Sequence, residues 1–385
     1  VSTEQLNITE PQPFTLEVPA AVLDDLRDRL RRTRWPERET VDDWSQGVPL
    51  ATLQDLCRYW AEDYPWPERQ ARINSFAQYR TTVDGLGIHF VHVPSPHPGA
   101  LPLVLTHGWP GSVAEFFDVI GPLTDPPAHG GKAEDAFSVV CPSLPGYGWS
   151  DKPTGVGWGL PRIARAWAAL MAGLGYDRYG AQGGDWGSGV TTFLGTLDPS
   201  HLAGIHLNMV NAGPPHGATG PWDEAEQAAL DSLDYYNRLD SGYSKQQSTR
   251  PQTVGYGLVD SPAALCGWIL EKFWSWSDTA GDPVGGLGAD RILDDVMHYW
   301  LPATGASSAR LYWESFARTP RPVVEVPSGA SVFPKEIFRP PRAWAERKFT
   351  DLRYWGTPPR GGHFAAFEQP ALFVDEVRAF FRLVR

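Results

Sequence analysis

The sequence predicts an α/β protein: a mostly parallel sheet, a helical cap inserted over one edge of it, and an N-terminal helical extension. Three observations carry this. Between residues 79 and 207, short strand-like runs alternate with segments of helical periodicity, the pattern of a parallel sheet covered by helices. Within that stretch, Arg178 to Gln182 reads as a strand, Gly183-Gly184-Asp185-Trp186-Gly187 as a tight turn, and Ser188 to Thr196 as a helix. From Asn211 to about Pro320 the strand rhythm stops, and it resumes afterwards. The chain accordingly divides into an extension (1–78), a first core segment (79–212), a cap (213–320) and a second core segment (321–385).

In the extension, Ala20 to Arg32 puts Val22, Leu23, Leu26 and Leu30 on one helical face. Leu50 to Trp60 and Glu68 to Phe76 are further helices, and Thr33-Arg34-Trp35-Pro36-Glu37 is an extended connection with proline punctuation. The core opens with a hairpin, Tyr79 to Val83 and Ile88 to Val93, turned around Asp84-Gly85. Leu101 to Thr106 is an apolar run of the kind found in buried parallel strands, and it ends at His107-Gly108-Trp109-Pro110-Gly111-Ser112. Phe137 to Pro142 is the next strand, followed by Ser143 to Ser150 and a helix from Leu160 to Leu174; Leu202 to Leu207 is the strand after the tight turn. The cap carries helical stretches at Asp223–Leu239, Ala263–Trp276, Arg291–Trp300 and Ser307–Ala317. The sheet is expected to resume at Val323–Val326 and Asp351–Trp355, with a last helix at Pro370–Leu383.

Composition narrows the class. At 385 residues, 42% hydrophobic and 20% charged, the chain has ample core for a soluble globular protein. A net charge of -12 disfavours nucleic acid as a partner, which wants a basic face. No apolar run approaches the roughly 18 residues of a membrane helix, and Val1 to Glu10 is polar, without a signal-peptide pattern. The cysteines Cys57, Cys141 and Cys266 fit no metal spacing and suggest buried thiols in a reduced, cytoplasmic setting. Tryptophan is over-represented, at 17 residues.

The chemistry is read from the tight turn. A strand, a small-residue turn and a helix form the nucleophile elbow of α/β-hydrolases, and here Asp185 holds the position of the usual serine. A serine would attack esters and amides; a carboxylate attacks a saturated carbon and becomes an alkyl ester. The substrate should therefore carry an electrophilic sp³ carbon, as an epoxide or an alkyl halide does. Turnover then needs a base, and His363 in Arg360-Gly361-Gly362-His363-Phe364 lies on the loop after the last strand. Glu336, after the preceding strand, would orient it. The backbone N–H groups of Trp109 and Trp186 would form the oxyanion hole. Each signal alone is weak: Asp-Gly turns are common, and a lone histidine or loop glutamate is more often structural or solvated. Their order along the chain, each after a strand, makes the set specific. No metal or organic cofactor is required.

Taken together, these motifs resemble the microsomal-type epoxide hydrolases of the α/β-hydrolase superfamily over nearly the whole chain. The extension resembles theirs at Pro13-Phe14, Thr33-Arg34-Trp35-Pro36, Trp44 and Gly47. The resemblance implies an α/β-hydrolase fold and two cap tyrosines that protonate the opened epoxide oxygen. The matching positions are Tyr243 and Tyr312, with Tyr235 and Tyr236 as rivals for the first role. The hydrophobic N-terminal anchor of membrane-bound relatives has no counterpart, so membrane attachment is not carried over; the chain looks more like soluble bacterial members, including actinobacterial ones in antibiotic pathways.

The function implied is conversion of an epoxide to a vicinal diol through an ester on Asp185, with the small-molecule epoxide and water as partners. The alternative is a haloalkane or haloacid dehalogenase, which shares the aspartate and the following tryptophan but holds halide with Trp or Asn side chains. A catalytically silent binding protein would have lost the nucleophile or the histidine, and both are present. The cap aromatics Tyr235, Tyr236, Trp268, Trp274, Trp276, Trp300 and Trp313 point to a bulky aryl epoxide. Oligomeric state stays open, with a homodimer as the candidate.

Overall fold

The computed structural model describes residues 6–316 and 322–385. Its strands are β1 (Gln12–Phe14), β2 (Gln78–Val83), β3 (Leu86–Val93), β4 (Leu101–Thr106), β5 (Phe137–Pro142), β6 (Tyr179–Gly183), β7 (Leu202–Leu207), β8 (Ser328–Ser331) and β9 (Leu352–Gly356). They form one sheet in the order β1-β2-β3-β5-β4-β6-β7-β8-β9. The pairs from β1 to β5 are antiparallel and those from β5 through β4 to β9 are parallel. The central strands are covered on both faces, which is why they read as continuous apolar runs: every residue of β5 and β7 is buried.

The helices are α1 (Ala20–Arg31), α2 (Leu50–Glu62) and α3 (Trp66–Asn74) in the extension, then α4 (Phe117–Thr124), α5 (Leu160–Gly173) and α6 (Asp185–Leu197) between strands. Between β7 and β8 come α7 (Glu224–Tyr235), α8 (Gly242–Thr249), α9 (Pro251–Asp260), α10 (Pro262–Trp276), α11 (Pro283–Leu287), α12 (Ala289–Trp300) and α13 (Gly305–Ser315). The chain closes with α14 (Arg342–Glu346), α15 (Ala365–Glu368) and α16 (Pro370–Phe381). Among the described residues, no helix is long and apolar enough to cross a membrane.

The extension grips α12. Asp290 and Asp294 stand one turn apart on that helix; Tyr59 Oη donates to Asp290 at 2.6 Å, and Tyr64 Oη and Arg69 Nε donate to Asp294, each at 2.8 Å. Asp294 is almost fully buried, so its charge is tolerated because Arg69 pairs with it.

The architecture departs from the sequence expectation in four places. The extension is not only helical: Gln12–Phe14 adds an edge strand, three residues long and therefore below any periodic signal. Val323–Val326 is not a strand of the sheet; it contributes one isolated bridge, Val324 to Phe349, and the strand is Ser328-Gly329-Ala330-Ser331. Small residues are required there because the Phe380 ring of α16 lies on the strand, 2.4 Å from where a Cβ on Gly329 would be. The expected helix Asp223–Leu239 ends at Tyr235 and widens into a π-turn over Tyr236–Asp240. Helices α8 and α9 fill a stretch where no helix was expected. Ala317 and the boundary at 320–321 lie outside the described residues.

Candidate active site

Parallel strands end at one edge of the sheet, and the loops leaving β4, β6, β8 and β9 meet there. The turn after β6 is sharp. Asp185 has φ 46°, a left-handed conformation rare for a residue with a side chain. The turn is also pressed against β4: a Cβ on Gly187 would stand 1.8 Å from the Thr106 carbonyl oxygen, so only glycine fits. Helix α6 begins at Asp185, which leaves the Trp186 N–H among the first-turn donors without an intrahelical acceptor.

The carboxylate of Asp185 is held from both sides. The Trp109 N–H donates to Oδ1 at 2.8 Å. His363 Nε2 lies 3.4 Å from Oδ2. The loop that delivers Trp109 is fixed by His107, whose Nε2 accepts the Leu144 N–H and whose Nδ1 donates to the Gly108 carbonyl. Burial pushes His107 down to about 4, so it is a neutral structural group.

The His363 side chain is 2% exposed and donates from Nδ1 to Glu336 Oε1 at 2.6 Å. The two loops are tied together: Lys335 N–H donates to the Gly361 carbonyl, and Lys335 bridges to Gly362 as in a parallel ladder. The same Glu336 oxygen accepts the Ile337 N–H at 2.7 Å. Burial alone would lower the imidazole, but the carboxylates of Glu336 and Asp185 more than offset it and hold His363 well above its ordinary range. The backbone N–H of His363 donates to the Trp276 carbonyl at 2.9 Å.

Tyr243 on α8 and Tyr312 on α13 are both buried and meet edge to face, ring centroids 5.7 Å apart. Tyr243 stacks on Trp109 at 4.8 Å, and Tyr312 stands against Trp186 at 4.7 Å, so each ring rests on a tryptophan that flanks Asp185. Burial raises both phenols well above their usual range, and the Asp185 charge adds to it. Tyr236 Oη shares a hydrogen bond of 3.0 Å with Tyr243 Oη, which places it behind Tyr243, whereas Tyr235 is 52% exposed.

The structure therefore brings together Asp185, His363, Glu336, Tyr243, Tyr312 and the Trp109 amide. Of the seven cap aromatics that point to a bulky aryl epoxide, three have contacts of another kind: Trp274 stacks on Trp44, Trp300 lies under Arg29, and Trp268 donates to Gln247. Trp276 does reach the site, packed against His363 with ring centroids 5.0 Å apart.

A cavity of about 20 Å³ opens beside Asp185 and His363, room for about one water, and Glu115 lines it. Burial, with Asp295 beside it, holds the Glu115 carboxyl well above the usual carboxylate range. Asp295 accepts from Ser112 Oγ at 2.6 Å, and burial raises it from 3.8 to about 8. The fold thus takes up a proton at Asp295 between about pH 4 and 8. That contribution is complete below the unfolded value and is lost as pH rises through about 8. Asp295→Asn keeps the Ser112 bond and is expected to raise Tm at pH 8.5 by several degrees, on the order of 2 kcal/mol, with a much smaller rise at pH 5, where only the first part of the contribution has been lost. Equal Tm shifts at both pH values would refute the buried proton. Glu368, raised to about 7 chiefly by burial, acts in the same direction, so part of the slope persists.

Comparison with known proteins adds the family. A family model described as epoxide hydrolase N terminus matches residues 11–116, and one described as alpha/beta hydrolase fold matches residues 102–252. A Stigmatella aurantiaca protein provisionally named an epoxide hydrolase is 56% identical over 97% of this chain and 85% of its own. Epoxide hydrolase 1 of Oryctolagus cuniculus is 35% identical over 97% of this chain and 89% of its own. The solved structure of the Aspergillus niger epoxide hydrolase superposes with a TM-score of 0.88 at 32% identity, covering 98% of this chain and 97% of that one.

Proposed function

Since the chain belongs to the microsomal-type epoxide hydrolases of the α/β-hydrolase superfamily, we propose that it converts an aryl-substituted epoxide to the vicinal diol through an ester on Asp185. The observation that carries this reading is the double hold on one carboxylate: Oδ1 on the Trp109 amide and Oδ2 facing His363.

In the proposed sequence, Tyr243 and Tyr312 hold the epoxide oxygen. Oδ2 of Asp185, the oxygen that faces His363, attacks the less hindered or benzylic ring carbon from behind, forming the ester C–O bond as the ring C–O bond breaks. A tyrosine gives its proton to the departing oxygen. Esterification removes the negative charge of Asp185, one of the two anions that hold His363 protonated. The imidazolium then yields its proton to the tyrosinate and becomes a base, oriented by Glu336. It takes a proton from a water in the cavity beside it, and the water oxygen adds to the ester carbonyl carbon. The Trp109 and Trp186 amides stabilise the tetrahedral oxyanion. Collapse breaks the ester bond, and the proton left on the new carboxyl passes to the diol oxygen. Asp185 is regenerated carrying one oxygen from water. The helical segment between β7 and β8 serves as the cap that supplies the tyrosines, and the aromatic wall of Trp109, Tyr243, Trp276 and Tyr312 supports a flat substituent on the epoxide.

The test is a single turnover of an aryl epoxide in ¹⁸O water with enzyme in excess. The label is expected in the Asp185 carboxylate and not in the diol. A labelled diol on the first turnover would mean direct attack of water. Chloride release from a chloroalkane, run in parallel, is expected to be absent.

A further inference from the structure

We propose that Lys272, resting on the reading above, is a positioning residue: its buried ammonium lies over the Tyr243 ring and makes Tyr243 the principal proton donor to the opened epoxide. The side chain of Lys272 is 3% exposed, although it stands in the apolar helix α10. Its ammonium is 4.6 Å from the centre of the Tyr243 ring and 5.2 Å from that of Trp276. It is paired with Asp240 at 2.7 Å and Glu271 at 2.7 Å. Asp240 also accepts the Trp276 Nε1–H at 2.5 Å, and the Trp276 carbonyl accepts the backbone N–H of His363.

A buried ion pair is a poor investment for stability alone, because desolvation offsets most of the attraction. Stability therefore does not account for a lysine in this place. A cation over an aromatic face is attracted to its π-electrons, and the attraction grows as a phenol loses its proton and the ring becomes electron-rich. Lys272 therefore favours the state of Tyr243 that exists as the ring oxygen is protonated. The other titratable groups around Tyr243 oppose loss of its proton: Tyr312 on α13, Tyr236 in the π-turn and Asp185 on α6 all raise the phenol. Asp240 and Glu271 are the ion-pair partners of the ammonium. Among the described residues, no such ammonium contact is made with Tyr312, which rests on Trp186 and Phe316. The two tyrosines are thus chemically unequal, and the π-turn that sets Asp240 is what holds the cation in place.

The test separates ester formation from ester hydrolysis by single-turnover kinetics, in Lys272→Met, Tyr243→Phe and the two combined. Lys272→Met is expected to slow ester formation about 10- to 50-fold, with hydrolysis of the preformed ester changed less than about twofold. In the Tyr243→Phe background, Lys272→Met should add less than about a twofold further loss. The charge-balanced Lys272→Met/Asp240→Asn variant, in which asparagine still accepts the Trp276 N–H, is expected to show the same step-selective loss and serves if Lys272→Met does not fold. Equal slowing of both steps would reduce Lys272 to a structural brace and overturn the proposal. So would independent, multiplying losses in the combined variant, or ester formation at the wild-type rate in Lys272→Met while Tyr243→Phe is slow; in that last case the reading of Tyr243 stands. Ester formation unimpaired in Tyr243→Phe would instead sink the role of Tyr243, and the Lys272 proposal with it.

Discussion

Asp185→Asn is expected to lower kcat by at least about 10⁴-fold with Tm little changed. Asparagine suits the position structurally. It tolerates the left-handed backbone at φ 46° better than most residues, and its carbonyl oxygen still accepts the Trp109 N–H. What it lacks is the charged oxygen that faces His363, and with it the nucleophile. The same variant should move the His363 imidazole towards its ordinary range, because only Glu336 then remains to counter burial. Product formation by chiral chromatography and the His363 titration by NMR read the two effects separately. A variant retaining more than about a hundredth of wild-type kcat would remove Asp185 from the nucleophile role.

What the sequence made legible follows from where physical constraints leave a local trace. The parallel strands β4, β5 and β7 fall on their expected bounds, because strands buried on both faces must be apolar runs. Strand β8 leaves no such trace for the opposite reason: under the Phe380 ring Gly329 has no room for a side chain, and the strand-like apolar pattern falls on the nearby run Val323–Val326. The elbow was readable because its glycines and Asp185 are contiguous. His363 and Glu336 were readable through chain order after successive strands, since loops at one sheet edge must converge. The tyrosines were not derivable this way; α8, which carries Tyr243, has little amphipathic pattern, and only the family motif marked the position. The Asp240–Lys272 pair leaves only half a trace: in Ile269-Leu270-Glu271-Lys272-Phe273 the lysine follows Ile269 by three residues and precedes Trp276 by four, on the apolar stripe of α10. A charge on that stripe requires a buried partner, and the partner, Asp240, lies 32 residues away, across a turn that no periodicity describes.

His363→Gln is expected to stop the enzyme after one chemical event. Glutamine can keep a hydrogen bond to Glu336 through its amide and preserve the loop, but it cannot take a proton from water. Ester formation does not require the imidazole as a base, and loss of the cationic ring beside Asp185 leaves the carboxylate a freer nucleophile. Mixing this variant with excess epoxide should therefore consume about one equivalent rapidly and then fall to a rate about 10³-fold below wild type, the scale of a lost general base. Intact-mass measurement should show the protein heavier by the mass of one epoxide, and peptide mapping should place the adduct on Asp185. The residual rate should not reach zero, because the Trp109 amide still polarises the ester. Slow steady turnover with neither burst nor adduct would mean that His363 acts before the ester forms, and the division of labour between the aspartate and the histidine would have to be redrawn.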